Sequence, residues 1–164
     1  MYTQQIVYNP ESRIDELIRI ISANSYGNDE PLLELIRLVD GTAFLSSLDN
    51  QFLGLLSSDR NNPDSIINPH TFLNPSNPLS LANKSGLYAS VNSPYSVYNP
   101  NAVSPPIVYY KSKKVIIVTA NPSALLDLGL WIVTPQLLIW NILALNPEAN
   151  RDLMEEARLT NCWS

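Results

Sequence analysis

The first forty residues carry the hydrophobic pattern of two amphipathic helices. In each half, apolar residues recur at the three- and four-residue spacing that places side chains on one helix face. The two stripes are Ile14, Leu17, Ile18, Ile21 and Leu32, Leu35, Ile36, Val39. Asn9-Pro10 is typical of a helix start, and Gly41 of a helix end. The pattern therefore predicts a helical hairpin over residues 1–41.

Two pairs of shorter apolar runs predict β-hairpins. Residues 43–47 and 51–57 flank Leu48-Asp49-Asn50, and residues 107–111 and 114–120 flank Ser112-Lys113. The last run contains Val115-Ile116-Ile117-Val118, which is β-branched and apolar throughout, as a central strand would be. Four strands joined in this way predict one small antiparallel sheet, with the helical hairpin covering one face.

Residues 128–147 form a run of twenty uncharged residues. That length suits a membrane-spanning helix. However, Thr134-Pro135 is typical of a helix start, which leaves only residues 135–145 for the helix. We therefore expect a buried helix here, with docking on a partner or a membrane surface as the alternative. A more polar final helix is predicted over residues 147–159.

The segment from residue 61 to residue 110 has an unusual composition. Half of its residues are proline, asparagine or serine, and only Asp64 and Lys84 are charged. A pattern of Pro-x-Ser-apolar-x-Asn begins at residues 63, 78 and 94, so its serines are 15 and 16 residues apart. We predict an ordered segment of three extended-then-turn units, each pinned by one apolar anchor: Ile66, Leu81 and Val97. The alternatives are a loop that wraps the sheet and a recognition surface.

Eight of the thirteen prolines directly follow an asparagine. The pairs that begin at residues 9, 121 and 146 are predicted to start helices. The five pairs within residues 61–110 are predicted to build turns, because no helical period follows them.

Together these elements predict an α+β fold in a single domain over residues 1–164. It consists of the helical hairpin, a small antiparallel sheet over 42–121 with a long ordered Asn/Pro/Ser-rich insertion at 61–106, and C-terminal helices over 122–164.

Several stretches between residues 49 and 121 share a further pattern. The first stretch, residues 51–58, includes Phe52-Leu53-Gly54, and residues 63–69 and 93–100 carry the repeats. Two further stretches follow, residues 105–108, which begin with Pro105-Pro106, and residues 118–121. They resemble a family of small uncharacterised bacterial proteins, cyanobacterial ones among them. These proteins place Ser/Tyr/Gly-rich repeats between a leading FLG strand and a closing PP strand pair. The family has no assigned activity, so the resemblance implies none. Residues 70–73 and 85–88 depart from its usual Tyr-Gly-Ser spacers.

The composition argues against several classes of function. The formal net charge of −5 argues against a nucleic-acid-binding protein, although residues 109–114 mix tyrosines with lysines. The single Cys162 cannot form an intrachain disulfide, and the single His70 argues against a histidine-rich metal site. No signal peptide is visible at the N-terminus, so we expect a cytoplasmic protein.

No catalytic motif is present, and the chain is expected not to be an enzyme and to hold no metal or cofactor. Ser65, His70 and Ser96 are the candidates if an unrecognised activity exists. The leading hypothesis is a non-enzymatic interaction protein, scaffold or accessory subunit with a protein partner. Peripheral membrane association through residues 128–145 and an enzyme of unrecognised type are the alternatives, and the chain is compatible with a homo-oligomer. The candidate interaction surface is Tyr88, Tyr95, Tyr98, Trp131 and Trp140.

Overall fold

The computed structural model describes residues 9–23 and 29–146. The elements, in chain order, are α1 (Pro10–Ala23), α2 (Asp29–Val39), β1 (Phe44–Ser46), β2 (Phe52–Leu55), β3 (Ile107–Tyr110), β4 (Lys113–Val118), a 3-10 helix (Leu126–Leu128), β5 (Trp131–Val133) and α3 (Pro135–Ala144). The fold is α+β, as predicted, and the helical hairpin and the C-terminal helix α3 are present. The final helix predicted over residues 147–159 lies outside the described residues.

The sheet is mixed and has one strand more than predicted. Its strand order is β2-β1-β3-β4-β5. The first four strands pair antiparallel, as the two hairpins require, whereas β5 pairs parallel to β4. The prediction of a purely antiparallel sheet was therefore wrong at this edge. Residues 119–130 carry the chain back along the sheet, and a crossover connection of this kind is what parallel pairing needs.

The helical hairpin covers one face of the sheet. Its buried residues Ile14, Leu35 and Ile36 meet Val108 and Ile116 around a void of only about 10 Å³. That volume is close to the space of one water molecule, so this interface is a packed core and offers no ligand cavity. Across the hairpin, Arg13 donates two hydrogen bonds to Glu34, at 2.6 and 2.7 Å.

The opposite face of the sheet carries an aromatic row. Phe44 packs against Tyr109 with ring centroids 5.8 Å apart, and against Phe52 at 6.0 Å. Phe72, from the long segment between β2 and β3, meets Phe52 edge-to-face at 5.3 Å. Edge-to-face contact is a favourable geometry for aromatic pairs. The long segment is therefore packed onto the sheet at its β2 side.

The β3–β4 hairpin turns one residue earlier than predicted. Lys111 and Ser112 occupy the two central positions, and both have positive φ, 48° and 69°. A two-residue hairpin turn with positive φ at both positions follows the right-handed twist of the strands. The turn therefore has the favoured geometry without the Asn-Gly pair that usually supplies it.

Candidate docking surface on the turn spiral

The segment between β2 and β3 is a chain of tight turns. From Asp59 to Ala89, every third residue donates its N–H to the carbonyl three residues earlier, in ten successive bonds. This bond closes a β-turn. The prediction of extended-then-turn units was therefore wrong, because the fourth residue of each turn is the first residue of the next. We call residues 59–104 the turn spiral.

Asparagine and proline have complementary roles in these turns. Each of six asparagines accepts a hydrogen bond at Oδ1 from the N–H two residues later, which is the Asx-turn geometry. Proline fixes φ at the next position for all of these asparagines except Asn83. The six are Asn62, Asn68, Asn74, Asn77, Asn83 and Asn99. The prediction that Asn-Pro builds turns in this segment is confirmed.

Side-chain donors link each turn to earlier turns. The amide groups of Asn68, Asn83 and Asn99 each donate to the carbonyl six residues before them, at 2.9–3.1 Å. The hydroxyls of Ser65 and Ser80 donate to the carbonyl eight residues before them, at 2.7 Å. Both serines are fully buried. Beyond the first hexad, the polar residues of the spiral thus satisfy backbone groups that no strand of the sheet pairs with.

These bonds reveal a six-residue repeat that the sequence analysis missed. Its form is Asn-Pro-x-Ser-apolar-apolar, and its copies are residues 62–67, 68–73, 77–82, 83–88, 93–98 and 99–104. Connectors at 74–76 and 89–92 separate the pairs, so two hexads and a connector make the 15- and 16-residue spacing. Several positions depart from this form, which hides the shorter period: Thr71, Lys84, Gly86, Ser93, Ala102 and Ser104.

The first hexad of the spiral is attached to the edge of the sheet. Leu55 in β2 forms a parallel bridge with Ser65. Gly54 has a φ of 132°, and a Cβ there would lie 3.1 Å from Ile66 Cα. Glycine is therefore required both for its backbone angle and for the close approach of the spiral. Ile66, Leu81 and Val97 are all fully buried, which confirms the three predicted anchors.

A segment distant in sequence closes the other end of the spiral. After β4, Asn121 donates from its side chain to the carbonyl of Ala102, at 2.8 Å, and Ala120 N–H donates to Val97. Asn121 Oδ1 also accepts from Ser123 N–H, as in the spiral's own Asx-turns. Pro122 was predicted to start a helix, which was wrong, because this Asn-Pro pair builds a further turn.

Four exposed apolar residues lie on the later hexads and on the second connector between them. Leu87, Val91, Tyr95 and Val103 are between 44% and 65% exposed, and we call them the outer apolar set. Backbone bonds hold them in pairs. Ser90 N–H donates to Gly86 beside Leu87 and Val91, while Val103 N–H donates to Pro94 beside Tyr95.

Phe72, Leu87 and Val103 occupy the same position in alternate hexads, the fifth. Phe72 is half-buried against Phe52 of the sheet, whereas Leu87 and Val103 are exposed. Leu87, Val91 and Val103 were not predicted as surface residues. The 15- and 16-residue spacing of Phe72, Leu87 and Val103 was the signal in the sequence that could have identified this row. The sheet covers the first member of the row and leaves the later two open to solvent.

The five residues of the predicted interaction surface differ in their exposure to solvent. Tyr88 and Trp131 are buried, 6% and 7% exposed, because each packs into the core. Tyr98 is half-buried, and burial raises the pKa of its phenol to about 12. Tyr95 lies on the outer apolar set, and Trp140 is exposed on α3. The five residues therefore do not form one surface.

Tyr98 is held from one side by a cation. Lys84 Nζ lies 3.8 Å from the Tyr98 ring centroid, within the range of a cation–π contact. The Tyr98 hydroxyl is buried and has no hydrogen-bond partner among the described residues. This pair joins the fourth and fifth hexads across the second connector.

The basic tip of the β3–β4 hairpin is occupied by acidic residues of α1. Lys111 Nζ lies 2.8 Å from Glu11 Oε1, and Lys113 Nζ lies 3.0 Å from Asp15 Oδ1. Tyr110 also donates to Glu11, at 2.6 Å. The hydrogen bonds from Lys111 and then Tyr110 lower the pKa of Glu11. Tyr110, Lys111 and Lys113 thus tether α1 to the sheet.

The candidate catalytic residues are used by the backbone or lie apart. Ser65 Oγ donates to Ser57 and accepts from Ile67 N–H, and Ser96 Oγ accepts from Tyr98 N–H. Both serines are fully buried, and His70 is exposed on the spiral. In the part of the chain that the structure describes, no three His, Cys, Asp or Glu side chains gather as a metal site requires.

None of the helices within residues 9–23 and 29–146 has the length and apolarity that crossing a membrane requires. The chain matches no protein-family model, no curated protein and no solved structure.

Proposed function

We propose that this protein is a non-enzymatic interaction module that binds a protein partner through the outer apolar set. The observation that carries the proposal is that residues 87–103 of the turn spiral hold four exposed apolar side chains: Leu87, Val91, Tyr95 and Val103. Exposed apolar residues that cluster are typical of interaction sites, whereas isolated ones are ordinary.

The rest of the spiral supports this role because it is a rigid platform. The turns are held by backbone bonds and by the Asn and Ser side chains, so little conformational freedom remains to be lost on binding. A long ordered loop that carries exposed apolar residues is suited to binding a partner.

Site-specific photocrosslinking in the host cell tests the proposal. A benzoylphenylalanine replaces Tyr95, and in a matched variant it replaces Asp64, which is exposed at the same hexad position outside the outer apolar set. We expect a discrete protein adduct from position 95 and none from position 64. The same adducts from both positions, or none from position 95, would contradict the proposal.

A second candidate function is docking of α3 on a membrane surface. For the cytoplasmic protein that we expected, this would be the cytoplasmic side of a membrane. Trp140 is 43% exposed although Leu138, Ile139 and Ile142 around it are buried. Tryptophan is enriched at membrane interfaces. Flotation with phosphatidylcholine vesicles, with and without phosphatidylglycerol, should then capture the wild type and lose the Trp140→Ala variant. Absence of flotation on both vesicles excludes this candidate.

A further inference from the structure

We propose that the partner of the outer apolar set is a second copy of this chain, so that the protein forms a two-fold dimer through the later hexads. This inference rests on the proposed function and names the partner for the same site.

Residues 85–110 contain no charged side chain, although the chain has a formal net charge of −5. A two-fold interface brings the same patch of two copies together, so any net charge on the patch would meet its like. The outer apolar set lies wholly within this neutral stretch. The one charged residue of hexads 77–104 is Lys84, and its ammonium lies over the Tyr98 ring. Two copies can therefore meet through the outer apolar set without placing charged members of that set against each other.

The composition of the patch fits such an interface. Three aliphatic side chains and Tyr95 are exposed among serines, asparagines and prolines. Tyrosine is enriched in interface cores and charged residues are depleted there. A neutral patch also provides no electrostatic steering toward a partner of opposite charge. This favours self-association over recognition of a charged protein.

Both ends of the spiral are already occupied, which favours a closed dimer over a filament. Ser65 pairs with β2 at the first hexad, and Asn121 binds the last hexad at Ala102. Head-to-tail extension of the spiral would have to displace one of these contacts. The side chains of the outer apolar set stay exposed beside these contacts and are open to a two-fold contact.

Sedimentation velocity of the purified full chain over a range of concentrations tests the inference. We expect a concentration-dependent monomer–dimer equilibrium. Leu87→Asp and Val103→Asp should each weaken the dimer by about a hundredfold, because each buries an unpaired charge. Ile20→Asp on α1 introduces the same charge at another exposed apolar position and should leave the dimer unchanged. Circular dichroism checks that each variant is folded.

A wild type that stays monomeric at every concentration overturns the inference, as does a dimer that Leu87→Asp and Val103→Asp leave intact. Crosslinking from position 95 distinguishes failure of the dimer inference from failure of the proposed function. An adduct of twice the chain mass supports the dimer. An adduct with a different protein, together with a monomeric wild type, refutes the dimer and supports the proposed function.

Discussion

In an Asn-Pro pair, asparagine supplies a side-chain acceptor and proline supplies a fixed backbone angle. The structure that the pair starts depends on the residues that follow. Asn9 accepts from Glu11 N–H and α1 continues from Pro10, because an apolar helical stripe follows. Asn62 accepts from Asp64 N–H in the same way, but Ser65 then starts another turn. The asparagine side chain acts only on the first turn. Whether a helix or another turn follows depends on the pattern of apolar residues after it. This explains why Asn121, which was expected to start a helix, builds a turn.

At the residue scale, Gly54 is the most constrained position of the sheet. We predict that Gly54→Ala lowers the free energy of unfolding by about 3 kcal/mol, because it combines a strained φ with a clash against Ile66. Gly41→Ala, where φ is also positive but nothing lies within 4 Å, should cost only about 1 kcal/mol. Urea denaturation measures both, and equal losses would show that the close approach of Ile66 is unimportant.

The buried serines make a second prediction at this scale. Ser80→Ala leaves the Phe72 carbonyl and the Ala82 N–H without their side-chain partner, so we expect a loss of about 2 kcal/mol. Ser85→Ala, at an exposed position in the next hexad, should change stability by less than about 0.5 kcal/mol. Thermal and urea unfolding compare the two variants. A Ser80→Ala protein as stable as the wild type would mean that water replaces the hydroxyl.

At the scale of elements, predictability follows the length over which a pattern acts. The stripes of α1 and α2 repeat over many residues and predict the helices. The hairpin strands are short, but each pair flanks a turn, and this predicts their pairing. The strand β5 has no such neighbour, and its parallel pairing depends on the path of residues 119–130. The exposure of Leu87 was unpredictable for a similar reason, because it depends on where the sheet stops covering the spiral.

The β3–β4 turn gives a prediction about one element. Ser112 has a φ of 69°. A residue with a Cβ is strained at this angle, whereas glycine is not. We therefore expect Ser112→Gly to raise the free energy of unfolding by about 0.5 kcal/mol. Ser112→Ala keeps the Cβ and should give no such gain. Equal effects of the two substitutions on the urea midpoint would contradict the assignment of strain to this turn.

The tether between α1 and the hairpin tip predicts a pH dependence. The pKa of Glu11 is lowered in the folded state by Lys111 and Tyr110, and the pKa of Glu34 is lowered by Arg13. Stability from a lowered pKa is present above the unfolded value, about 4.5, and is lost as pH falls through the folded value. We expect the melting temperature to fall in this acid range.

The Glu11→Gln variant separates this tether from general acid effects. Its melting temperature should be lower than that of the wild type at neutral pH, and the difference should shrink as pH falls below about 4.5. Asp127→Asn, which removes a carboxylate far from the tether, should leave the pH profile unchanged. A Glu11→Gln profile parallel to that of the wild type would contradict a role for this carboxylate.

For the whole molecule, the spiral is part of the cooperative fold because both its ends are bonded to the sheet and its crossover. Ser65 joins it to β2, and Val97 and Ala102 join it to the segment that leads from β4 to β5. The same crossover segment that makes β5 parallel therefore also closes the spiral. The sequence predicts neither contact, since each joins residues that share no local pattern.

Asn121→Ala tests this closure, and hydrogen exchange is the measurement because it resolves local opening. The substitution removes the bond to Ala102 and the acceptor for Ser123 N–H, so amides near residues 97–104 should lose protection. Their opening should become easier by about 1–2 kcal/mol. Amides near the first hexad, such as Ile66, should keep theirs, because β2 holds that end. Asn101→Ala at an exposed spiral position should leave both regions unchanged. Uniform loss along the whole spiral would instead mean that its hexads open as one unit, with Asn121 stabilising all of them.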